Sequence, residues 1–247
     1  MSGHSKWSQI KRQKGAADVK RGAVFSKLTN AIIVAAKSGG DPNSNFTLKM
    51  AVEKAKAENM PKDTIDRAIK RGTGEIGGAE VSEVLYEVIG PENIGILIEA
   101  ATDNKNRTAS EIKNTLNKFN AKLAGSGAVS YQFVKMGKII IDIAGKNHEE
   151  IELAIIDAGA EDFEEHGDDL AVYTKGNELR IVKEALENQG LIVKEAVQSW
   201  EPQNMIEIGE KESGKILDLM HAIEGLEDIT NIYSNFDIAT PITNLNQ

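Results

Sequence analysis

The basic residues of this chain are concentrated in its first 72 positions. That segment carries 15 Lys and Arg residues against 6 Asp and Glu, a balance of +9, whereas residues 73–247 carry 14 against 32, a balance of −18. An isoelectric point near 5.1 hides this division. Clustered cations bind phosphate and release counterions, whereas an acidic surface repels phosphate. The sequence therefore predicts a small nucleic-acid-binding segment attached to a larger acidic body.

The first 21 residues have the composition of a basic arm. One aromatic residue, Trp7, stands among the cations, with too few apolar neighbours to bury the segment as a core helix. We expect the arm to lie along a phosphate backbone, with Trp7 stacking on a base or packing on the body. The alternative is a solvated terminus without a partner. The expected contact residues are His4, Lys6, Trp7, Lys11, Arg12, Lys14, Lys20 and Arg21.

Three short helices are predicted after the arm. Apolar residues recur at helical spacing over residues 23–37 and 45–58, and a third helix runs from Pro61, which the first helical turn tolerates, to Gly72. Each helix has one apolar stripe, which is enough for a minimal bundle. Residues 1–72 are therefore expected to form a basic helical domain whose exposed lysine faces hold any nucleic-acid site.

Strand and helix patterns mix in the acidic body, which predicts an α+β fold. After a glycine-rich linker, strands are expected at residues 84–89, 94–100 and 128–134, and the capping sequence Thr108-Ala-Ser-Glu111 is expected to open a helix. The following order of strand, helix, strand, strand, helix and strand resembles a ferredoxin-like unit. A last helix and strand would complete the first sheet.

This order predicts two α/β domains after the helical bundle, the third domain of the chain being inserted in the second. The expected divisions are residues 1–72 for the helical domain, residues 73–134 with 206–247 for the α/β domain, and residues 135–205 for the inserted ferredoxin-like domain.

Two glycine-rich segments resemble nucleotide-binding motifs without meeting their requirements. Gly72-x-Gly74-x-x-Gly77 follows a predicted helix rather than a strand, and Gly209–Lys215 has Ile216 where a P-loop needs a magnesium-binding Ser or Thr. The four histidines are far apart, and the chain contains no cysteine. We therefore expect a protein that is not an enzyme and that has no cofactor, metal ion or small-molecule substrate.

The sequence also indicates where the protein works. It contains no apolar run long enough to span a membrane, and the residues from Met1 to Trp7 lack the apolar core of a signal peptide. We expect a cytoplasmic protein with no membrane partner.

One loop of the acidic body is a second candidate contact. Residues 102–108 concentrate amides, hydroxyls and the cations Lys105 and Arg107 just before a predicted helix, where backbone N–H groups favour anions. The alternative is a turn with a helix cap, since Asn, Asp and Thr bond readily to nearby backbone. We expect Lys105 and Arg107 to contact nucleic acid.

These features resemble the YebC/PmpR family, whose relatives include the mitochondrial translational activator of cytochrome c oxidase. The resemblance spans essentially the whole chain. The motifs that carry it are Gly3–Trp7, Lys20–Gly22 with Phe25, Ala35–Lys37 with Gly39-Gly40, Asp41-Pro42, Asn59–Pro61, Ile65–Gly72, Tyr86-Glu87 with Gly90-Pro91, Asp103-Asn104 with Asn106–Thr108, and Gly127–Phe133.

The resemblance implies a cytoplasmic, non-enzymatic regulator with the same three-domain arrangement. Carried over by position, Gly3–Trp7, Lys11, Lys20 and Arg21 are the expected contacts to RNA or DNA. Members of the family resemble DNA-binding transcriptional regulators in one description. In another they resemble ribosome-associated factors that relieve stalling on proline-rich stretches.

The residues themselves leave both functions open. The sequence does not spell a helix-turn-helix with a clear recognition helix, which argues against reading of a DNA groove. A cationic arm with an aromatic residue suits insertion into RNA, whereas phosphate contacts to a duplex need no special motif. We expect a DNA-binding transcriptional regulator, with a translation factor that binds ribosomal RNA and the ribosome as the alternative.

Overall fold

The computed structural model describes residues 21–238, with side chains from residue 24 onward. Its contacts divide the chain into two compact units. The first comprises the residues up to Phe133 and from Pro202 onward, and the second comprises Val134–Glu201. The predicted division into three domains is a finer one and stays a prediction.

The described elements confirm the α+β class, with a helical bundle, an α/β region and an inserted ferredoxin-like region. In chain order they are α1 (Arg21–Ala36), α2 (Phe46–Ala57), α3 (Lys62–Gly72), β1 (Ser82–Ile89), β2 (Gly95–Thr102), α4 (Lys105–Asn117), β3 (Lys122–Ala124), β4 (Phe133–Asp142), α5 (His148–Asp157), β5 (Asp162–His166), β6 (Asp169–Lys175), α6 (Leu179–Asn188), β7 (Ile192–Pro202), β8 (Ile206–Ile208), α7 (Glu210–Glu224), β9 (Ile229–Ser234) and β10 (Phe236–Ile238).

A polar side chain joins the first two helices of the bundle. Asn45 caps α2, because its side-chain oxygen accepts the N–H of Leu48 at 3.1 Å. Its Nδ2 donates to the carbonyl oxygens of Ala35 and Gly39 at 2.8 and 2.7 Å. The turn between α1 and α2 is therefore fixed by one residue, and the apolar stripes of the helices meet in a common core around Ile32.

The helices α1 and α3 approach each other closely at Gly72. A Cβ atom added there would lie 2.6 Å from the Cβ of Ala36 and would overlap the carbonyl oxygen of Ile33. Gly72 thus serves backbone packing at the end of α3. Its place in a glycine pattern does not indicate a nucleotide loop, because a helix precedes it.

In the main sheet of the first unit, the strand β2 is covered on both faces. Its strand order is β3–β1–β2–β9, and β2 pairs antiparallel with β1 and β9. Ile96, Ile98 and Ala100 of β2 belong to the apolar core formed with α4 and α7. Ala101, on the opposite face, belongs to the core of the helical bundle. The bundle and the sheet therefore share the strand β2.

Two hydrogen bonds from α1 fix the bundle on this sheet. Asn30 Nδ2 donates to the carbonyl oxygen of Ala101 at 3.1 Å. Lys27 Nζ donates to the carbonyl oxygen of Glu224, the last residue of α7, where a cation is favoured by the helix dipole. The basic domain is thus held against the α/β region within one unit.

The predicted strand over residues 128–134 is wrong. The third strand of the sheet is β3, residues 130–132 form a 3₁₀ turn, and only the last two predicted residues enter a strand, β4. Val129, Tyr131 and Phe133 are spaced as on one face of a strand, but Val129 and Phe133 are buried whereas Tyr131 is exposed. The loop bonds instead to the carboxylate of Glu87 through its backbone N–H groups.

A buried carboxylate holds the start of α4 against β9. Asp228, 5% exposed, accepts hydrogen bonds from Thr108 Oγ1 at 2.6 Å and Thr102 Oγ1 at 3.1 Å. Arg107 Nη2 donates to both of its oxygens at 2.9 and 3.1 Å. The helix begins earlier than its capping sequence predicts, because Asn104 rather than Thr108 is the cap.

These contacts set the protonation of Asp228. Burial acts to raise its pKa, but the hydrogen bonds from Thr108, Arg107 and Thr102 together outweigh burial and hold the pKa below the ordinary value of 3.8. The carboxylate is therefore ionised in the folded protein at neutral pH. Its contribution to stability is present above the pKa of the unfolded chain and is lost as the pH falls through the folded pKa.

The second unit has the ferredoxin-like order that the sequence predicts. Its strands lie in the order β5–β6–β4–β7, with β4 and β5 each antiparallel to β6. The helices α5 and α6 connect β4 to β5 and β6 to β7. The acidic segment 161–165 lies largely in the edge strand β5.

Replacement of Gly72 by alanine should destabilise the first unit by about 2 kcal/mol, because the added methyl group overpacks the contact between α1 and α3. Gly77→Ala is the matched control, since a Cβ at Gly77 meets nothing within 4 Å. Urea denaturation of both variants measures the difference. Equal stabilities for the two variants would contradict the assigned role of Gly72.

Replacement of Asp228 by asparagine should lower the free energy of unfolding by about 2 kcal/mol at pH 7, because charge-assisted hydrogen bonds are lost. The deficit should shrink as the pH falls from 3.8 through the lower pKa of the folded protein, because the stabilisation by the ionised wild-type carboxylate is lost over that range. Denaturation curves at pH 7 and pH 3 measure it, with the more exposed Asp103→Asn as control. A pH-independent deficit would argue against the ionised network.

Candidate nucleic-acid interface

Most of the predicted contact residues lie outside the described part of the chain. His4, Lys6, Trp7, Lys11, Arg12, Lys14 and Lys20 precede residue 21, and of Arg21 only the backbone, at the start of α1, is described. Their role in binding stays a prediction from the sequence. Lys105 and Arg107 are the two predicted contacts whose side chains are described.

Arg107 is engaged within the protein. Its guanidinium bonds to Asp228 at 2.9 Å and pairs with Asp103 at 3.2 Å, while its side chain stays 47% exposed. The hydrogen bond and charge of Asp228 raise the pKa of Arg107 above its ordinary value. A phosphate at this position would have to share the guanidinium with two carboxylates. The turn-and-cap alternative for this loop therefore describes much of its polar chemistry.

Lys105 is exposed and close to the end of α1. Lys37, one residue past α1, donates to Glu80 Oε1 at 2.8 Å. This hydrogen bond lowers the pKa of the Glu80 carboxyl, and the charge of Lys105 contributes to the same shift. Lys37, which follows α1, and Lys105, a predicted contact of the acidic body, therefore both act on the carboxylate of Glu80.

An open groove with cationic lining lies on the helical domain. It has a volume of about 670 Å³ and is formed chiefly by α2, α3 and the turns that flank them. Its lysines are Lys56, Lys62 and Lys70, all of them exposed. We call this feature the lysine groove. Its full lining is Gly40, Pro42, Val52, Lys56, Met60, Lys62, Ile65, Asp66, Ile69, Lys70 and Glu75.

Local sequence explains how the three lysines come to surround one groove. Lys56 lies in the last turn of α2 and Lys70 in the last turn of α3, positions where the helix dipole favours cations. Between the helices, Asn59 adopts the left-handed conformation with φ of 59° and turns the chain. Lys62 then begins α3. The lysines are therefore presented at helix ends, where neighbouring backbone restricts their positions.

The groove combines free cations with an apolar floor. Within residues 24–238, none of its three lysines forms an ion pair or a side-chain hydrogen bond. Met60, Ile65 and Val52 line the floor and are at most 7% exposed. Asp66 and Glu75 at the margin reduce the net positive charge. Such a groove can bind an anion while enclosing an apolar group beside it.

The sequence indicated the lysine faces but not the groove itself. Exposed lysines on α2 follow from helical periodicity, yet their approach to Lys62 and Lys70 depends on the packing of α2 beside α3. The segment following Gly72 also folds back, because the N–H of Glu75 donates to the carbonyl oxygen of Lys70 at 2.9 Å. The glycine-rich composition of this segment predicted a linker and did not indicate that Glu75 would line the groove.

Other kinds of site find no support in the described residues. In residues 21–238 no group of three His, Asp or Glu side chains is placed to hold a metal ion. No helix in that range is both long and apolar enough to cross a membrane. The segment resembling a P-loop opens α7, with Glu210 and Glu212 in the first turn, where a phosphate would meet two carboxylates.

Comparison with known proteins places the whole chain in one family. The sequence model of the TACO1/YebC N-terminal domain matches residues 5–75, and that of the TACO1/YebC second and third domains matches residues 81–236. The chain is 45% identical to a protein of Geobacter sulfurreducens named a probable transcriptional regulatory protein, over 97% of both sequences. A protein of Fusobacterium nucleatum with the same designation is 46% identical over 98% of both.

A solved structure has the same fold. It is the crystal structure of a conserved hypothetical protein from Aquifex aeolicus, with a TM-score of 0.88 and 38% sequence identity, covering 97% of this chain and 99% of the other. Matches of this extent to both family models and to full-length relatives establish membership. The chain belongs to the TACO1/YebC family.

Proposed function

We propose that the protein is a DNA-binding regulator of transcription that binds nucleic acid mainly through its helical N-terminal domain. The observation that carries the proposal is the lysine groove, an open site with three unengaged cations in the one basic region of an acidic chain. The names of its relatives as regulatory proteins support the same class. The basic arm, with His4, Lys6, Trp7 and the cations that follow, would extend the contact.

The proposed mechanism rests on the uneven distribution of charge over the protein. Phosphates bind to Lys56, Lys62 and Lys70, while the acidic remainder of the chain repels nucleic acid from other surfaces. Binding itself is the activity, with no catalytic step or cofactor. Such a regulator acts in the cytoplasm, where its nucleic-acid target is found.

A second candidate function is that of a translation factor bound to ribosomal RNA. The apolar floor of the lysine groove favours it, because an unpaired nucleotide can place its base on Val52, Met60 and Ile65. Duplex DNA keeps its bases stacked and would use only the lysines. The two functions therefore differ in whether the floor is used.

The joint replacement of Lys56, Lys62 and Lys70 by glutamine should weaken nucleic-acid binding at every sequence. The dependence of log K on log salt should become shallower by about 3 units, because roughly one phosphate contact is lost with each lysine. Fluorescence anisotropy with a mixed-sequence duplex over a range of salt concentrations measures the slope.

The matched control removes the same charge from the acidic body through Lys113, Lys118 and Lys211, all exposed, changed to glutamine. This control should keep the wild-type slope. If the dependence of log K on log salt becomes shallower by the same amount in both triple variants, net charge rather than the groove governs binding, and the proposed site is wrong.

Crosslinking in living cells separates the two functions. A transcriptional regulator should recover duplex DNA enriched in promoter regions, and the groove variant of Lys56, Lys62 and Lys70 should recover much less. Sequencing of the recovered nucleic acid is the measurement. Recovery of ribosomal RNA at defined positions instead would establish the second candidate and contradict the first.

A further inference from the structure

Tyr131 is the most exposed large apolar side chain in the described part of the protein. It is 70% exposed and lies in the 3₁₀ turn at residues 130–132, just before β4. An aromatic ring in this position buries little surface within the protein. The hydrogen bonds around the turn, and not burial of the ring, therefore hold Tyr131 in place.

A buried carboxylate fixes the backbone on which Tyr131 stands. Glu87 of β1 is 5% exposed and accepts the N–H groups of Gly127 at 2.7 Å, Val129 at 2.6 Å and Ser130 at 2.9 Å. The hydroxyl of Ser130 donates to the same carboxylate at 3.1 Å. A buried charge is tolerated only when it is so fully bonded, and the bonds leave the turn little freedom.

The protonation of Glu87 supports a permanent clamp. Burial acts to raise its pKa, but the three backbone N–H groups of Gly127, Val129 and Ser130 and the hydroxyl of Ser130 outweigh it, so that the pKa lies below its ordinary value. The carboxylate is ionised at neutral pH. The hydrogen bonds from the turn to the ionised carboxylate are therefore present at neutral pH.

A second hydrogen-bond series reaches the ring itself. Gln132 Nε2 donates to the hydroxyl of Tyr131 at 3.2 Å, and its Oε1 accepts from Asn235 Nδ2 at 2.7 Å. Asn235 is 2% exposed and accepts the N–H of Gly95 at 2.7 Å. A series of polar groups therefore runs from the buried Asn235 through the half-buried Gln132 to the exposed phenol of Tyr131.

The inner end of this series packs closely against Gly95, where an added side chain would force its neighbours to shift. A Cβ there would lie 2.8 Å from Val129 Cγ1 and 3.2 Å from Gln132 Oε1. Two independent systems, the Glu87 clamp and the Gln132–Asn235 series, thus meet at one exposed ring. Ordering an exposed side chain opposes its conformational entropy, and a rigid tyrosine presented to solvent is typical of preorganised binding surfaces.

The chemistry of the turn indicates what the ring contacts. Residues 125–132, Gly-Ser-Gly-Ala-Val-Ser-Tyr-Gln, contain no charged side chain. Such a surface offers no cation to a phosphate, but it offers a ring face to a base and small polar groups to its edges. Bases in a duplex are already stacked on each other, so the ring can stack only on an unpaired base.

We infer that Tyr131 is a binding residue that stacks on an unpaired base of the nucleic-acid target, with Glu87 and Gln132 as its positioning residues. This inference rests on the proposed function, since it requires that the partner be nucleic acid. It adds a contact in the acidic body that works through stacking rather than charge. The ring distinguishes single-stranded or distorted targets from regular duplex.

The test uses the full-length protein and fluorescence anisotropy with a labelled mixed-sequence 20-nucleotide strand. The strand is prepared as RNA and as DNA, each single-stranded and as a duplex. Tyr131→Ala should weaken single-strand binding about tenfold, with little change for the duplexes and an unchanged salt slope. Tyr131→Phe keeps the ring and should recover most of the affinity. A larger loss of affinity for the RNA strand or for the DNA strand identifies the nucleic acid on which the ring stacks.

A control variant and a stability measurement separate binding from structure. Leu153→Ala removes another exposed apolar side chain, 63% exposed, and should bind as the wild type does. Tyr131→Ala should keep the wild-type melting temperature, since the ring packs on little. Wild-type affinity in Tyr131→Ala, or equal losses for single strand and duplex, would overturn the inference.

The outcome also separates this inference from the function on which it rests. If the wild type binds with the salt dependence expected of the lysine groove and Tyr131→Ala binds equally well, the proposed function stands and the stacking role is wrong. If the wild type binds none of the four probes, nucleic-acid binding itself is wrong and the inference falls with it.

Discussion

The burial of strand β2 on both faces is the constraint on which the first unit depends. All of its residues except Glu99 are buried, and Glu99 accepts hydrogen bonds from Asn231 and Tyr233 of β9. One face of β2 belongs to the core with α4 and α7, and the other meets the helical bundle. Because both cores share this strand, the helical domain packs on the α/β region and is not an independent domain joined to it only by a linker.

Buried carboxylates organise the surfaces around that strand. Asp228 gathers Thr102, Thr108 and Arg107 at one end of the sheet, and Glu87 gathers the turn before β4 at the other. Each acid exchanges water for several well-placed donors, which keeps it ionised. A cation such as Arg107 is therefore paired with carboxylates of the protein itself, whereas the lysines of the groove remain available to bind phosphate. Counting charges in the sequence does not distinguish these two groups.

Local patterns in the sequence were sufficient for most of the fold. The three helices of the bundle and the ferredoxin-like order follow from periodicity, caps and glycines, which act over a few residues. The strand predicted over residues 128–134 failed because its apolar residues Val129, Tyr131 and Phe133 do not share one buried face, since Tyr131 is exposed on a turn held by hydrogen bonds. The partner that decides the matter, Glu87, lies about forty residues away. The lysine groove was missed for the same reason, since helix packing and not helix periodicity creates it.

The insertion of the second unit also bears on how the first one folds. The second unit comprises Val134–Glu201, and just outside it the N–H of Gln203 donates to the carbonyl oxygen of Gln132 at 2.8 Å. The ends of the excursion are therefore pinned together as closely as the ends of a hairpin. The entropy of closing a loop rises only with the logarithm of its length. Once the inserted segment has collapsed on its own core, it acts on the first unit as a short turn would. The strand β9 can then pair with β2, and β8 with β10, as though they followed directly.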